Sequence, residues 1–574
     1  MESLVKNNET TTATKIRGAE AVIRILLEEG AKTLFGYPGG AIMPIYDALY
    51  DYRDKINHIL VRHEQGATHA AQGYARVTGN PGICFGTSGP GATNMITGIA
   101  DAFVDSTPMI CITGQVISPL LGSDAFQETD IISISKPVTK WNYQITQAEE
   151  IPRVMAKAFY IATSGRPGPV LLDITKDAQN EEFEFSYTPC TSIRSYQPKP
   201  DLDEAKIKEA ASLINKAKKP FVVYGQGVLL SDSQDELKEF IEKSGIPAGS
   251  TLLGLSALPT SHPLFMGMLG MHGNYAPNVK TNECDVLIAI GMRFDDRVTG
   301  DVKTYAKNAK VIHIEIDDAE IDKIIKADVA IHADANEALK SLIPLVDKKT
   351  HPQWIESFTK LKAIEKEKII KKEIHPVSGK ITMAEVINRI SEATNGDAII
   401  VSDVGQHQMI TSRYYRHNIP KSNVTSGGLG TMGFALPASM GAKIGKPDRE
   451  VVAVIGDGGF QMTIQELSTI LQYDIEVKII ILNNNFLGMV RQWQQLFFTK
   501  RYSFTELTNP EFSKVAESFG IQATKVEVRE DLDGAIKQML EHKGPYLLDI
   551  VVEKEENVFP MIQSGESVSN IRLE

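Results

Sequence analysis

The sequence predicts an α/β protein of three tandem doubly wound domains, each built on a parallel sheet. The chain of 574 residues is too long for a single hydrophobic core. Two polar stretches, which begin at Asn180 and at Asp347, divide it into blocks of typical domain size. Within each block, short apolar runs alternate with segments of helical periodicity, as in βαβ units on parallel sheets.

We therefore expect domains at residues 14–180, 200–346 and 378–555, here called block one, block two and block three, and a tail at 556–574. The expected strands are apolar runs that end in glycine or a polar residue. They are KTLFGYPGG, HILVRHE, GICFGTSG, MICITGQ and PVLLDI in block one, PFVVYGQG, DVLIAIGMR and KVIHIEI in block two, and AIIVSDVG, EVVAVIGDGG, VKIIILNNN and YLLDIVV in block three. Ligands of open parallel sheets bind at the carboxyl ends of the strands, so chemistry is sought there.

Composition excludes several classes of protein. A net charge of −12 argues against nucleic acid as the main partner, because such proteins need a concentrated basic surface. The four cysteines form no CxxC pair, which predicts neither a zinc site nor a disulfide framework and fits a reducing compartment. The N-terminus is polar, and no apolar run approaches the roughly 18 residues of a membrane span. We expect a cytoplasmic protein without a membrane or nucleic-acid partner.

The stretch IGDGGF places Asp457 directly after a strand run. Asp-Gly after a strand is typical of a hairpin, but a helical segment and the run VKIIILNNN follow. Asp457 and Asn484 therefore end two parallel strands of one βαβ unit and can face one crevice. Their hard oxygen ligands suit Mg²⁺, and the glycines allow a diphosphate to approach the backbone. The alternative is an ordinary βα turn with a capping aspartate.

The pair GDGGF and LNNN, at this spacing, resembles the fingerprint of thiamine-diphosphate enzymes. The resemblance covers nearly the whole chain and is closest to the catalytic large subunits of acetohydroxyacid synthase, also called acetolactate synthase. It implies thiamine diphosphate, Mg²⁺ and a structural FAD as cofactors. It also implies a homodimer or homotetramer, whose sites form between block one of one subunit and block three of another, and it leaves open a separate regulatory small subunit.

The resemblance implies a catalytic role for Glu64, which protonates the aminopyrimidine ring of the cofactor in this family. The alternative for Glu64 is a first-turn glutamate favoured by the helix dipole. Three further elements match catalytic residues of the family. They are the loop beside the reacting carbon, the glutamine of GSDAFQETD and a lysine at the substrate channel. The implied catalytic residues are Glu64, Tyr37, Gly39, Gly40, Ala41, Gln127 and Lys176.

Block three carries the implied contacts to thiamine diphosphate and to the metal. His407 is interpreted as a phosphate or cofactor contact, and Met432 as the residue that holds the cofactor bent, although methionine more often fills a core. The cofactor contacts, besides Glu64, are Gly405, Gln406, His407, Gln408, Gly430, Met432, Gly456, Asp457, Gly458, Gly459, Asn484, Gly488 and Met489. The metal ligands are Asp457, Asn484 and the backbone oxygen of Phe486.

The motif GMRFDDRVTG is distinctive of the synthases, and the alternative is a surface cluster of mixed charge. Its second arginine matches the residue that binds the carboxylate of a second keto acid, for which a planar guanidinium is suited. The implied substrate-binding residues are Arg297, Trp493, Met489 and Val490. The implied FAD contacts are Arg166, Gly225, Gln226, Gly227, Thr251, Leu252, Leu269, Gly270, Met271, His272, Gly291, Arg293, Asp295, Glu315, Ile316, Asp317, Ile321 and Asp334.

The chain has no His-His pair, which related decarboxylases use to protonate their intermediate, and this favours carboligation. The resemblance then implies that pyruvate is decarboxylated and that its hydroxyethyl carbanion attacks a second 2-keto acid. The products are 2-acetolactate, or 2-aceto-2-hydroxybutyrate from 2-ketobutyrate, which Trp493 favours over pyruvate as acceptor. The alternatives are a FAD-dependent pyruvate oxidase, another thiamine-diphosphate carboligase, an FAD-free catabolic acetolactate synthase and a non-catalytic scaffold.

Overall fold

The computed structural model describes residues 15–574; the predicted first residue of block one and the polar N-terminal stretch, up to residue 14, lie outside the described residues. Three six-stranded parallel sheets, one in each block, confirm the predicted α/β architecture. Within residues 15–574 no helix is long and apolar enough to cross a membrane.

Block one contains a six-stranded sheet and a two-stranded ribbon. Its strands are β1 (Lys15–Arg17), β2 (Thr33–Gly36), β3 (Asn57–Leu60), β4 (Gly82–Gly86), β5 (Met109–Gln115), β6 (Trp141–Ile145), β7 (Pro169–Thr175) and β8 (Glu182–Glu184). Its helices are α1 (Gly18–Glu28), α2 (Met43–Tyr50), α3 (Glu64–Thr78), α4 (Pro90–Asn94), α5 (Ile96–Val104), α6 (Ile131–Ser135), α7 (Ile151–Thr163) and α8 (Lys176–Asn180). The sheet order is β3-β2-β4-β5-β7-β6, and β1 pairs antiparallel with β8.

Block two has the strand order of a dinucleotide-binding sheet, with its switch point between the first and fourth strands. Its strands are β9 (Pro220–Tyr224), β10 (Ala248–Ser250), β11 (Phe265–Met268), β12 (Val286–Ile290), β13 (Lys310–Glu315) and β14 (Val329–His332), in the order β11-β10-β9-β12-β13-β14. Its helices are α9 (Glu204–Lys216), α10 (Gly227–Leu230), α11 (Gln234–Ser244), α12 (Tyr275–Glu283), α13 (Asp296–Thr299) and α14 (Ala335–Leu342).

The lysine-rich stretch after block two is helical, although the sequence suggests a linker. It forms α15 (Pro352–Glu365), a π-helical turn (Lys366–Ile370) and α16 (Lys371–Ile374). Trp354 and Phe358 on α15 are buried in the core of block two, which explains why this stretch is ordered. The stretch therefore belongs to the packed body of the molecule.

Block three repeats the strand order of block one. Its strands are β15 (Ile399–Ser402), β16 (Asn423–Thr425), β17 (Val451–Gly456), β18 (Lys478–Asn483), β19 (Gln522–Val526) and β20 (Tyr546–Val551), in the order β16-β15-β17-β18-β20-β19. Its helices are α17 (Met383–Ala393), α18 (Gln406–Tyr414), α19 (Ala435–Gly445), α20 (Asp457–Thr463), α21 (Leu467–Gln472), α22 (Gly488–Phe497), α23 (Phe512–Ser518) and α24 (Leu532–Glu541).

Blocks one and three share a hydrophobic core where α3 crosses α19. Two glycines let the helix backbones meet: a Cβ on Gly73 would lie 1.9 Å from the Ala438 carbonyl oxygen, and one on Gly441 would lie 1.8 Å from that of Ala70. Any side chain at either position would force the helices apart. The joint fixes the sheet edges of the two blocks relative to each other.

Candidate active site

The predicted metal pair lies at the carboxyl edge of the block-three sheet. β17 and β18 are parallel neighbours, with Gly456 opposite Leu482, so the residues that follow them emerge side by side. Asp457 and Asn484 are buried, with 2% and 4% of their surfaces exposed. Asn509 donates to the Asp457 carboxylate at 2.8 Å and to the Asn483 amide oxygen at 3.0 Å, which ties the two strand ends together.

The chemistry of this edge fits a divalent cation. Burial raises the pKa of the Asp457 carboxyl to about 6, because water no longer solvates its charge, and a cation there would restore the carboxylate. The Asn484 amide oxygen accepts from the Phe486 N–H at 3.1 Å, and the Gln406 amide oxygen is buried without a hydrogen-bond partner in the described chain. A Cβ on Gly488 would lie 2.2 Å from that Gln406 oxygen, so glycine keeps this space open. Carboxylate and amide oxygens are ligands that Mg²⁺ accepts.

The segment 405–408 begins α18 beside the same edge. Gln406 donates to Gln492 at 2.9 Å and to the Glu556 carbonyl at 2.7 Å, and Gln408 donates to Thr425 at 2.8 Å. His407 accepts from the backbone N–H of Gly456 at 3.2 Å, and burial lowers the pKa of its ring to about 3. A neutral His407 thus supports the turn below Asp457, while its predicted phosphate contact stays a prediction.

Met432 reaches the turn that follows Asp457. A Cβ on Gly458 would lie 3.6 Å from the Met432 methyl carbon, and Gly430 and Gly433 on either side adopt positive φ angles of 72° and 84°. A Cβ on Gly459 would lie 3.0 Å from the Asp403 carboxylate. The glycines therefore allow the loop with Met432 and the turn with Asp457 to approach each other closely.

Block one gathers its predicted catalytic residues at the carboxyl edge of its own sheet. Glu64 begins α3, and its Oε2 accepts from the Asn94 amide at 2.9 Å. The loop after β2 is held by Thr87, whose hydroxyl accepts from Ala41 N at 3.3 Å; a Cβ on Gly39 would lie 2.4 Å from Thr87, whereas Gly40 faces open space. The site residues at this edge are Tyr37, Gly39, Gly40, Ala41, Glu64, Gln127 and Lys176, which follow β2, β3, β5 and β7.

This edge of block one exposes apolar surface. Tyr37 is 40% exposed and Phe126, beside Gln127, is 88% exposed, together with Ile117 and Leu120 at about 40% each.

Within one chain, the start of α3 contacts Glu466, whose carboxylate accepts from the Arg62 N–H at 3.0 Å. Glu466 lies beyond the C-terminal end of α20, whereas Asp457 begins that helix, whose seven residues span about 10 Å.

A cavity of about 1280 Å³ lies between the three blocks. The predicted site residues that line it are Arg166, Gln226, Gly227, Thr251, Leu252, Leu269, Gly270, Met271, His272, Gly291, Arg293, Asp295, Arg297, Glu315, Ile316, Asp334, Gly405, Gln408, Gly430, Met432, Met489, Val490 and Trp493. Gly225, Asp317 and Ile321 adjoin lining residues in the chain. The predicted flavin contacts and the substrate-binding residues therefore share one continuous cavity with part of the predicted thiamine-diphosphate site.

The wall from block two has the features of a dinucleotide cradle. Gly227 donates to the Gly291 carbonyl at 2.9 Å at the switch point of the sheet, and a Cβ on Gly227 would lie 2.6 Å from the Gly291 Cα. Arg166 binds Asp317 at 3.1 Å and Glu320 at 3.0 Å. Burial raises the pKa of Glu315 to about 7 and lowers that of His272 to about 4, so near pH 7 Glu315 is only partly ionised and the His272 ring is neutral. The cradle fits a large dinucleotide such as FAD.

Block three contributes the opposite wall through α22. Met489, Val490 and Trp493 lie on it at helical spacing, and Val490 is half exposed. Arg297 projects from block two with 57% of its side chain exposed, its guanidinium 3.6 Å from the Met271 sulfur and 3.7 Å from Asp296. An exposed guanidinium beside apolar side chains suits a small carboxylate with an aliphatic tail.

Sequence reasoning missed several polar residues that hold the site. Asn509 bridges the metal edge, Glu466 holds the start of α3, and Arg76, Asp101 and Asp105 form a buried cluster between blocks one and three. The residues of block three that this buried cluster contacts lie more than 300 residues away in the sequence, so no local pattern reveals the cluster. The one signal in the sequence is a pair of aspartates four residues apart on a mainly apolar helix.

Comparisons with known proteins agree with this architecture. Models of the thiamine pyrophosphate enzymes match the chain three times: the N-terminal TPP binding domain at residues 16–134, the central domain at residues 207–342 and the C-terminal TPP binding domain at residues 403–550.

Similar curated proteins cover almost the whole chain. A probable acetolactate synthase large subunit of Methanocaldococcus jannaschii is 46% identical over 97% of this chain and 95% of the relative. An acetolactate synthase large subunit of Corynebacterium glutamicum is 46% identical over 97% of this chain and 90% of the relative. The acetolactate synthase isozyme 2 large subunit of Escherichia coli is 44% identical over 97% of this chain and 99% of the relative.

Proposed function

The chain belongs to the acetolactate synthase large subunits, a family of thiamine pyrophosphate enzymes, and from this premise we propose how its residues carry out the reaction. The reaction joins two 2-keto acids: pyruvate loses carbon dioxide, and its two-carbon unit is transferred to a second pyruvate or to 2-ketobutyrate. The products, 2-acetolactate and 2-aceto-2-hydroxybutyrate, belong to branched-chain amino-acid synthesis.

Block three would hold the diphosphate end of the cofactor. Asp457, Asn484 and the backbone oxygen of Phe486 would bind Mg²⁺, and the turn 456–459 would accommodate the diphosphate. The support is the buried carboxylate and amide oxygens of this pair at neighbouring strand ends. Thiamine diphosphate, when bound, supplies the electron sink for decarboxylation. Met432 would pack beneath it, because that methyl group already lies against the turn of Gly458.

Glu64 would exchange the proton that activates the cofactor. Asn94 fixes Oε2 of its carboxylate at 2.9 Å, while Oε1 lies 3.1 Å from the Cβ position of Gly91, where a glycine leaves room. Burial at the start of a helix keeps this group away from bulk water. A fixed, shielded carboxylate with one free oxygen is suited to directed proton transfer.

The second keto acid would bind between block two and α22. Arg297 would bind the carboxylate of this keto acid through two parallel N–H donors, and Trp493 would contact its alkyl chain. The cradle of block two would hold FAD as a structural element between Arg166 and the turns of Gly227 and Gly291, with no electron transfer required. Lys176, Gln127 and the loop from Tyr37 to Ala41 would close the site from block one.

The complete site would form between two copies of the chain. Exposed apolar side chains around Tyr37 and Phe126 surround the block-one edge, which favours burial against another subunit. A homodimer, or a tetramer built from two dimers, would place this edge over the block-three edge of its partner. The name "large subunit" of the relatives also supports a separate small subunit as a partner.

The observation that carries the proposal is the buried pair of Asp457 and Asn484 beside a cavity that joins all three blocks. The experiment incubates the purified chain with pyruvate, thiamine diphosphate, Mg²⁺ and FAD, and measures acetolactate with and without 2-ketobutyrate. We expect acetolactate without oxygen uptake, and preferential 2-aceto-2-hydroxybutyrate when both acceptors are present. Acetate with oxygen uptake would favour a pyruvate oxidase, and acetaldehyde as the main product a simple decarboxylase.

A further inference from the structure

A buried ionic cluster joins block one to the 426–432 loop, the segment of block three that contains Gly430 and Met432. The cluster consists of Arg76 on α3, Asp101 on α5 and Asp105 at the C-terminal end of α5. The side chains of Arg76 and Asp105 are 6% and 0% exposed, and Asp101 is fully buried. Charges this deep are costly to bury unless their partners are well placed, so the arrangement is a specific one.

Asp105 holds the start of the loop through both of its oxygens. The backbone N–H of Gly427 donates to Oδ2 at 2.8 Å, and that of Gly428 donates to Oδ1 at 2.7 Å. Arg76 donates to the same Oδ2 at 2.7 Å and to the Thr425 carbonyl at 2.6 Å. Three hydrogen bonds to block one thus fix the backbone where the loop leaves β16, and the contact between Arg76 and Asp105 holds the two anchoring side chains together.

Asp101 holds the other end of the loop. Its Oδ1 accepts from the Ser426 hydroxyl at 2.5 Å and from the Thr431 hydroxyl at 3.3 Å, and the Ser426 oxygen accepts from the Thr431 N–H at 2.8 Å. The second oxygen, Oδ2, is buried without a partner in the described chain. Burial and the neighbouring Asp105 raise the pKa of Asp101 to about 6, so this carboxyl is partly protonated just below neutral pH.

The same end of α5 also contacts the wall of the flavin cradle. A Cβ on Gly428 would lie 2.2 Å from Val104 and 3.3 Å from the guanidinium of Arg293. Ser106, which directly follows Asp105, accepts from the Arg166 Nε at 2.8 Å. The loop is therefore wedged between α5 and block two with no room for a side chain at Gly428.

We propose that Asp105 and, to a lesser degree, Asp101 are positioning residues that fix the 426–432 loop, and so Met432, for the binding of thiamine diphosphate. This inference rests on the proposed function. Neither carboxylate touches the cofactor turn itself; each acts through the loop backbone. Asp105 matters more because both of its oxygens accept backbone N–H groups, which an amide nitrogen cannot do. Asp101 binds hydroxyls, which can reorient toward an amide.

The experiment measures thiamine-diphosphate affinity by calorimetry on the FAD-loaded full chain with Mg²⁺. The variants are Asp105→Asn, Asp101→Asn and Ser426→Ala. The matched control is Asp173→Asn, an equally buried carboxylate of block one that accepts from Thr113, Gln115 and Gln144 and does not contact the loop. We expect Asp105→Asn to raise the Kd about tenfold or more and Asp101→Asn about threefold or less, with the control unchanged. Saturating cofactor should restore most of the kcat.

Several outcomes would overturn the inference. If Asp105→Asn lowers only the melting temperature and leaves the Kd unchanged, the cluster is merely structural. If Asp105→Asn does not fold, Ser426→Ala decides: we expect a Kd raised about threefold or more, and an unchanged Kd contradicts the proposal. If the unaltered chain and the control fail to bind thiamine diphosphate, the proposed function itself fails; if both bind and Asp105→Asn binds equally well, only this inference fails.

Discussion

Blocks one and three use the same strand order and place their candidate residues at the same edge of the sheet, yet the two edges differ in kind. The edge of block three is closed: Asp457 and Asn484 are nearly inaccessible, and Asn509 ties their strands together. The edge of block one is open, with Tyr37 and Phe126 exposed to solvent. One scaffold thus provides a buried, closed edge in one case and an uncovered surface in the other.

In the proposed function, the two blocks of the same fold would divide one task between them. A metal and a diphosphate need buried, converging oxygen ligands, which a single sheet edge can supply alone. An acid that acts on the other end of the same cofactor must approach from the opposite side. A second sheet edge can carry such an acid. Within one chain, the packing of α3 on α19 fixes the two edges relative to each other. In this arrangement the start of α3, with Glu64, lies beside Glu466, and Asp457 lies at the other end of α20.

The largest effect is expected from the closed edge. Asp457→Ala removes the carboxylate ligand, so we expect loss of Mg²⁺-dependent thiamine-diphosphate binding by calorimetry and no detectable acetolactate. The control Asp448→Ala changes an exposed aspartate of the same block and should leave both unchanged. Cofactor binding by Asp457→Ala comparable with that of the unaltered chain would show that this edge is not the anchor.

The open edge should respond in the opposite way. Glu64→Gln keeps shape and the hydrogen bond from Asn94 but cannot exchange a proton, so we expect acetolactate formation to fall about 10²–10⁴-fold. The Kd for thiamine diphosphate should stay within about threefold, because the anchor is intact. Equal loss of binding in this variant would remove the division of roles between the two edges.

The joint between the blocks should be sensitive to a single methyl group. In Gly441→Ala the new Cβ would lie 1.8 Å from the Ala70 carbonyl oxygen, so we expect the free energy of unfolding in urea to fall by about 1–3 kcal/mol. Gly534→Ala is the matched control, because the Cβ position of this helical glycine has nothing within 4 Å. That control should be neutral or slightly stabilising, since alanine favours helices. Equal effects of the two changes would contradict a tight joint.

The smallest effect is a change in the pH dependence of stability. Burial raises the pKa of Asp173 in block one from 3.8 to about 6. The folded state therefore binds the proton more tightly than the unfolded state, and stability falls as pH rises between about 4 and 6, then levels off. Asp173→Asn, which cannot ionise at this position, should reduce the fall of the melting temperature with pH over this window. A variant profile parallel to that of the unaltered chain would contradict this assignment.

Much of the fold, and the position of Asp457 and Asn484 at the ends of neighbouring strands, could be predicted from the sequence. The long apolar runs of the central strands, and the helix between Asp457 and Asn484, specify a parallel βαβ unit without tertiary information. Short strands such as β10 and β16, with three residues each, carry too little pattern to be found. The sequence of the lysine-rich stretch is typical of a linker, because only Trp354 and Phe358 indicate that one of its faces is buried.

Contacts between distant segments could not be predicted. Cys84 and Cys111, far apart in sequence, lie on paired strands with their sulfurs 3.4 Å apart, yet both thiols are buried and free. Asp105 and Gly428 meet only because α3 packs on α19. Such pairings depend on how the blocks dock, which single-sequence periodicity does not encode. The roles proposed for Glu64 and Arg297 rest on the family resemblance, because residue chemistry alone leaves them open.

The central claim is that the open edge of one chain covers the closed edge of another. The most direct test mixes two inactive variants, Glu64→Gln and Asp457→Ala, by joint unfolding and refolding or by co-expression, and measures acetolactate. A mixed dimer would contain one site with both native residues, so statistical mixing should restore about a quarter of the unaltered activity. Activity that stays at the level of the separate variants, in mixtures shown to contain mixed dimers, would contradict the claim.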